Sequence, residues 1–269
     1  MAGRKISLVW LKAGLLLLLL CSSALILSAY IPNPAKGPLI VAHRGASGLA
    51  PENTMASFEL AELLGADYIE LDVRMSKDGE LVVIHDAKLD RTTNVSGFVH
   101  HFALKELQRM DAGSFYDPGY SKETISTLGE VLDRFGGRIG ILIETKEPYL
   151  YPGLEQKLAE ELKRHGRLEG LMLQSFDFDS TRRMHELMPD IPIGVLIHKD
   201  KHPLSDETLD ELASYADYIN YNFELIDKKL IARIHARDRK VMAWTIRSEK
   251  DERWMKKLGV DGIITDYPA

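Results

Sequence analysis

YIELDVR, residues 68–74, reads as a short strand on which Glu70 and Asp72 project to the same side, because side chains on an extended backbone alternate between faces. Three more apolar runs end on chemically active residues: LIVAHRGA at 39–46 carries His43 and Arg44, LVVIHD at 81–86 carries His85, and IGILIETK at 139–146 carries Glu144 and Lys146. Candidate strands lie at 39–43, 68–73, 81–85, 139–144, 171–174, 193–197, 218–220, 241–246 and 262–265. Amphipathic stretches such as 54–64, 154–165, 180–188 and 228–237 fall between most of them. Such alternation predicts an α/β fold with a parallel sheet and crossover helices. At 269 residues the leading architecture is a closed (β/α)8 TIM barrel.

Nine candidate strands compete for eight barrel places. RMSKDGE, 74–80, is too short for a helical crossover, which normally needs about a dozen residues. Either 81–85 returns as a hairpin partner through Lys77, Asp78 and Gly79, or an extended link leads down to a parallel strand. Both routes bring His85 near Glu70 and Asp72. Residues 87–128 form a turn-rich excursion, too long for an ordinary barrel loop, and are expected to be a small insertion subdomain beside the barrel mouth that selects substrate.

The amino terminus is a separate problem. Arg4, Lys5 and Lys12 precede nineteen uncharged residues at 13–31, with six leucines at Leu15 to Leu20. That length approaches the roughly 20 residues that cross a bilayer core, and the basic flank places the amino terminus in the cytosol. Residues 1–31 are therefore expected to be a transmembrane anchor, 32–38 a Pro-rich linker, and 39–269 a catalytic barrel outside the cell membrane. The alternative is a signal peptide, cleaved near Ala24 or Ala29, that releases a secreted barrel. Cys21 is the only cysteine and lies in this segment, which excludes a disulfide framework and a thiolate metal site. Without the three amino-terminal bases, 31 basic residues face 40 acidic ones, a formal charge of −9. Nucleic acid is excluded as a diffuse electrostatic partner. No P-loop, Rossmann glycine fingerprint or internal repeat is visible.

Barrel enzymes carry their chemistry at the carboxyl ends of the strands, where the singled-out residues lie. Close carboxylates repel unless a cation sits between them, and an all-oxygen set of Glu70, Asp72 and Glu144 suits Mg²⁺ or Ca²⁺ better than zinc. The competing structural account pairs Asp72 with Arg74 or Arg44, and Glu144 with Lys146, as ordinary ion pairs. His43 and His85 have the reference pKa, near ~6.5, that lets one imidazole be neutral while the other is protonated. Hydrolysis of a phosphodiester needs just such a base and acid together with a cation. Arg44 and Lys146 are candidate phosphate contacts. Phe176 and Trp244 could floor a pocket for an organic group, although core packing explains them almost as well. His198 and His202 have metal-ligand spacing but lie in the charged loop IHKDKHP, and are read as solvated along with His100, His101, His165, His185 and His235.

The ordered motifs HRGASGLAPENTMASF from His43, ELDVRMSKDGELVVIHD from Glu70, LDRTTN from Leu89, ETK from Glu144, QSF from Gln174, AWT from Ala243 and GVDGIITDYP from Gly259 cover nearly the whole chain after the anchor. In these the chain resembles the glycerophosphodiester phosphodiesterases, which are phospholipase C-like phosphodiesterase barrels. The resemblance implies a divalent ion at Glu70, Asp72 and Glu144 and acid and base roles for His43 and His85. It also implies phosphate contacts from Arg44 and Lys146, and hydrolysis of a small-molecule glycerophosphodiester to sn-glycerol 3-phosphate and an alcohol; Gln174 joins Phe176 and Trp244 as a candidate substrate-binding residue. Two departures touch the specificity pocket: Arg247 stands where many relatives place an amide, and Ser126 where a proline often precedes Thr-Leu. Alternative functions are cleavage of lysophospholipids or polyglycerol-phosphate polymers, and phosphodiester binding without catalysis.

Overall fold

Parity along YIELDVR builds the barrel. Ile69, Leu71 and Val73 turn outward into the main apolar core, and Glu70 and Asp72 turn into the barrel. In the computed structural model, which describes residues 37–268, the same alternation recurs around a closed sheet. Its parallel strands are β1 (Leu39–Ala42), β2 (Tyr68–Met75), β4 (Gly140–Thr145), β5 (Leu171–Ser175), β6 (Ile193–Ile197), β7 (Tyr218–Asn222), β8 (Met242–Ile246) and β9 (Gly262–Thr265). They follow the order β1-β9-β8-β7-β6-β5-β4-β2, and β1 pairs with β2 to close the ring.

β3 (Leu81–Val83) stays outside the ring and pairs antiparallel with β2, Val73 facing Val83 and Met75 facing Leu81. The hairpin is thus the route taken, and the extended link to a parallel strand is not. Its turn closes through Ser76 N to Glu80 O at 2.9 Å, and Gly79 adopts φ +81°, a conformation glycine takes without strain. Beyond β3, Ile84 N still donates to the Asp72 carbonyl at 3.0 Å, which carries His85 back toward the acids of β2.

Crossover helices cover the outside. They are α1 (Met55–Leu63), α3 (Leu128–Phe135), α4 (Leu154–His165), α5 (Phe178–Leu187), α6 (Asp206–Ala213), α7 (Lys228–His235) and α8 (Glu249–Leu258), while the short α2 (Leu104–Leu107) lies in the excursion after β3. Thr54, Thr127, Asp177, Ser205, Asp227 and Ser248 cap the amino ends of six of them, each side chain accepting a backbone N–H that the first turn leaves unpaired. Inside the ring, Val41, Leu142, Met172, Tyr218, Met242 and Ile264 form a second apolar cluster, a packed plug beneath the mouth. The excursion has a third cluster of its own, built on Val82, Ile84, Leu89, Val99, Leu107 and Ile125, whereas Leu128 already belongs to the main core.

The anchor or signal segment expected at 1–31 lies outside the described residues. Among the described residues no helix is long and apolar enough to cross a membrane. Phe58 of α1 and Phe135 of α3 meet edge to face at 5.9 Å and lock the helices flanking β2. Truncation by Phe135→Ala is expected to cost about 3–5 kcal/mol, measurable as a lowered urea midpoint. A loss below ~1 kcal/mol would contradict this packing.

Candidate active site

The parallel register sets Asp72 of β2 beside Glu144 of β4, with Glu70 one layer deeper opposite Leu142. All three carboxylates are buried, and each offers an oxygen within 4.8 Å of the others. Glu70 Oε2 accepts the Arg44 backbone N–H at 2.8 Å, while its Oε1 has no hydrogen bond. Asp72 Oδ2 accepts Asn53 Nδ2 at 2.8 Å and lies 3.3 Å from Arg44 Nε. Asp72 Oδ1 has no hydrogen bond, although Lys146 Nζ stands 3.6 Å away, and the same ammonium is 2.5 Å from Glu144 Oε1. The Arg44–Asp72 and Lys146–Glu144 pairings considered from sequence are both made. Arg74 instead binds Glu147 at 2.8 Å and donates through Nε to the His85 carbonyl at 2.8 Å.

Charge in this cluster is divided unequally. Burial pushes the Glu70 carboxyl well above its ordinary range, and the neighbouring charges of Asp72 and Glu144 push it further. Burial also opposes ionisation of Asp72, but Lys146 and Arg44 outweigh it and hold that carboxyl far below the ordinary value. Glu144 is raised by burial more than Lys146 lowers it. Two buried acid oxygens without donors, and an ammonium seated between Asp72 and Glu144 as a cation would be, fit a divalent ion bound by hard oxygen donors.

Each imidazole is backed by an aspartate. His43 Nδ1 lies 2.6 Å from Asp266 Oδ1, whose other oxygen accepts Arg247 Nε at 2.6 Å. His85 Nδ1 lies 2.6 Å from Asp86 Oδ1, whose other oxygen accepts Arg91 Nε at 2.7 Å. A carboxylate at Nδ1 holds the proton there and leaves Nε2 for proton exchange. Burial lowers both histidines below their ordinary value, and the charge of Asp72 acts on both in the opposite direction.

Asp266 ends the apolar run of β9 just as His43 follows β1, so strand parity alone could have found it. Asn53, Glu52 and Arg91 carry no such signal, because they arrive from loops. Asn53 clasps Asp72 twice, its Oδ1 also accepting the Asp72 N–H at 3.2 Å. Glu52 takes Arg44 at 2.8 Å and Arg91 at 2.6 Å. The loop pays for this in backbone conformation, with Arg44 at φ 55° and Asn53 at φ 58°.

Phe176 and Trp244 meet edge to face at 5.3 Å, and Lys146 Nζ lies 5.6 Å from the Phe176 ring. The Trp244 Nε1 donor is buried without a partner. Gln174 sits level with Glu144, buried, and accepts Asn220 Nδ2 at 3.3 Å. A cavity of about 380 Å³ opens beside Glu144 and Lys146, lined also by Glu147, Tyr149, Phe176 and Lys201. The solvated reading of seven histidines holds for the exposed His101, His198 and His235 and fails for four. His100, His165, His185 and His202 are half-buried. His100 packs on Tyr151, His185 on Tyr215 and His202 on Tyr221, and His165 lies 3.3 Å from Glu161.

Aspartate-backed imidazoles beside an acid-lined cation pocket, at the barrel end where loops converge, define the class as a barrel hydrolase. The chain belongs to the glycerophosphoryl diester phosphodiesterase family, whose profile matches residues 43–269. It is 44% identical over 229 residues to the provisionally named glycerophosphodiester phosphodiesterase YhdW of Bacillus subtilis, covering 85% of this chain and 94% of that one. A glycerophosphodiester phosphodiesterase of Caldanaerobacter subterraneus is 40% identical over 232 residues, covering 86% and 94%. A phosphodiesterase of Oleispira antarctica, solved in complex with the product sn-glycerol-3-phosphate, superimposes with a TM-score of 0.79 at 33% identity, covering 86% of this chain and 94% of that one. The protein is accordingly a phosphoric diester hydrolase.

Because Glu70 is raised, the folded chain binds its proton more tightly than the unfolded chain does. Its contribution to stability is therefore lost as pH rises from the ordinary carboxyl value of 4.5 through the folded one. A divalent cation competes with that proton, so it is expected to raise the melting temperature more near pH ~8 than near pH ~5, with a stabilisation of up to about 2.7 kcal/mol at a hundredfold excess over Kd. Equal shifts at the two pH values would overturn this account.

Proposed function

We propose that this chain is a metal-dependent glycerophosphodiester phosphodiesterase that releases sn-glycerol 3-phosphate and a free alcohol. The observation that carries this reading is the gathering of three buried carboxylate oxygens within 4.8 Å, two of the acids each keeping an oxygen without a donor, among aspartate-backed imidazoles. The product bound by the Oleispira relative agrees with it. Mg²⁺ or Ca²⁺ held by Glu70, Asp72 and Glu144 would supply Lewis-acid stabilisation of the phosphoryl charge.

The remaining work belongs to the side chains. Arg44 and Lys146 provide fixed positive charge for the phosphoryl oxygens, Arg44 through its fork and Lys146 as a point charge. His43 takes a proton at Nε2 from the attacking hydroxyl, and His85 gives one from Nε2 to the departing alkoxide, whose protonation removes the main barrier to leaving. Phe176 and Trp244 form an apolar wall for the organic part of the substrate, with Trp244 Nε1 as an unused donor. Gln174, level with Glu144 and held by Asn220, is a further candidate substrate contact. The uncharged 13–31 segment supports a barrel held outside the cell membrane, or one released after signal cleavage.

The deciding experiment incubates the purified chain with a panel of glycerophosphodiesters in Mg²⁺, Ca²⁺ or chelator and measures glycerol phosphate. Turnover that chelator abolishes is expected, and His43→Ala and His85→Ala should each reduce it about 10²- to 10⁴-fold. Absence of turnover in every metal would favour a phosphodiester-binding barrel instead.

A further inference from the structure

Arg91 lies in the excursion after β3 and makes four hydrogen bonds with one planar group. Its Nε and one terminal nitrogen reach Asp86 at 2.7 and 3.1 Å, and its two terminal nitrogens reach Glu52 at 2.6 and 2.9 Å. Asp86 holds His85 Nδ1 at 2.6 Å, and Glu52 holds the Arg44 guanidinium at 2.8 Å. A continuous chain thus runs from His85 through Asp86, Arg91 and Glu52 to Arg44 and Asp72. The corresponding guanidinium behind His43 does less: Arg247 donates to Asp266 through Nε, and 64% of its side chain is exposed.

A guanidinium that grips two carboxylates by its fork fixes their mutual angle as well as their distance, which a lysine cannot do. The Arg91 guanidinium helps hold both Asp86 and Glu52 below the ordinary carboxylate range, against the opposing effect of burial. The Arg91 side chain is 45% exposed, and ion pairs so placed add little to folding stability. What four bonds at that place accomplish is alignment.

We propose that Arg91 is a positioning residue that sets the His85 imidazole and the Arg44 guanidinium in one frame, acting through Asp86 and Glu52. This rests on the roles given above to His85 and Arg44 in phosphodiester cleavage. Neither group touches Arg91 directly, so each depends on a carboxylate that Arg91 orients. A displacement of about 1 Å in such a group is enough to cost ~10²-fold in rate.

The test compares the full chain with Arg91→Ala, Arg91→Lys, Asp86→Asn and the Arg91→Ala/Asp86→Asn double variant, on glycerophosphocholine. Arg91→Ala is expected to lower kcat about 10- to 100-fold with the melting temperature little changed, and Arg91→Lys to recover only part of the loss. The double variant should lose more than Asp86→Asn alone, by the part carried through Glu52, but less than the product of the two single losses, because Arg91 and Asp86 share the path to His85. A second measurement does not need turnover. The hydrogen-bonded His85 Nδ1 proton, a low-field NMR signal assigned by its absence in His85→Gln, should broaden or vanish in Arg91→Ala. A signal unmoved by Arg91→Ala overturns the proposal whatever the kinetics, as do losses that multiply in the double variant. A wild-type chain without turnover would instead count against the phosphodiesterase reading, with the proton signal still deciding the role of Arg91.

Discussion

Three carboxylates buried within 4.8 Å of one another cannot all carry charge without compensation, and most of the mouth is arranged around that constraint. Two cations, Arg44 and Lys146, supply part of the compensation, and burial beside Asp72 and Glu144 raises the Glu70 carboxyl well above its ordinary range. The arrangement is self-consistent but costly to build. It draws a backbone N–H and a side-chain amide from the loop after β1, where Arg44 and Asn53 take left-handed conformations and Gly45, at φ 77°, passes so close to Ser57 that a Cβ would lie 2.4 Å from its hydroxyl. Left-handed backbone outside glycine recurs on the far side at Glu147, φ 44°, which anchors Arg74. Local strain is accepted where charge must be brought to buried acids.

Arg74 shows how the same constraint reaches the second imidazole. Its guanidinium is buried, pinned by Glu147, and donates to the His85 carbonyl. The backbone of His85 is thus held from beneath by β2, and its ring from the side by Asp86. His43 is held from β9 by Asp266, so the two imidazoles are oriented by separate parts of the barrel.

Much of this was visible in the sequence because a strand has a period of two and a barrel a defined working end. The ring of strands, and the placement of Glu70, Asp72 and Glu144 on its inward side, follow from those two rules. The rules fall silent where the chain leaves the strands. Whether 81–85 formed a hairpin or a ninth parallel element depended on pairing energy along both edges of β2, which residue pattern does not encode. Asn53, Glu52 and Arg91 reach the centre through contacts across 19 and 39 positions of chain, and neither a turn nor a helix periodicity marks them. The half-buried histidines were misjudged for a related reason: a polar loop such as IHKDKHP can still fold an imidazole back against Tyr221.

The excursion after β3 packs on an apolar cluster distinct from those of the barrel, joined to the sheet through Val82 of β3. Val99, Leu107 and Met110 are buried in that cluster and not in the main core. At Asp86 and Arg91 the excursion is tied to His85 and Glu52, so a shift of that segment is carried directly to the imidazole and to the partner of Arg44.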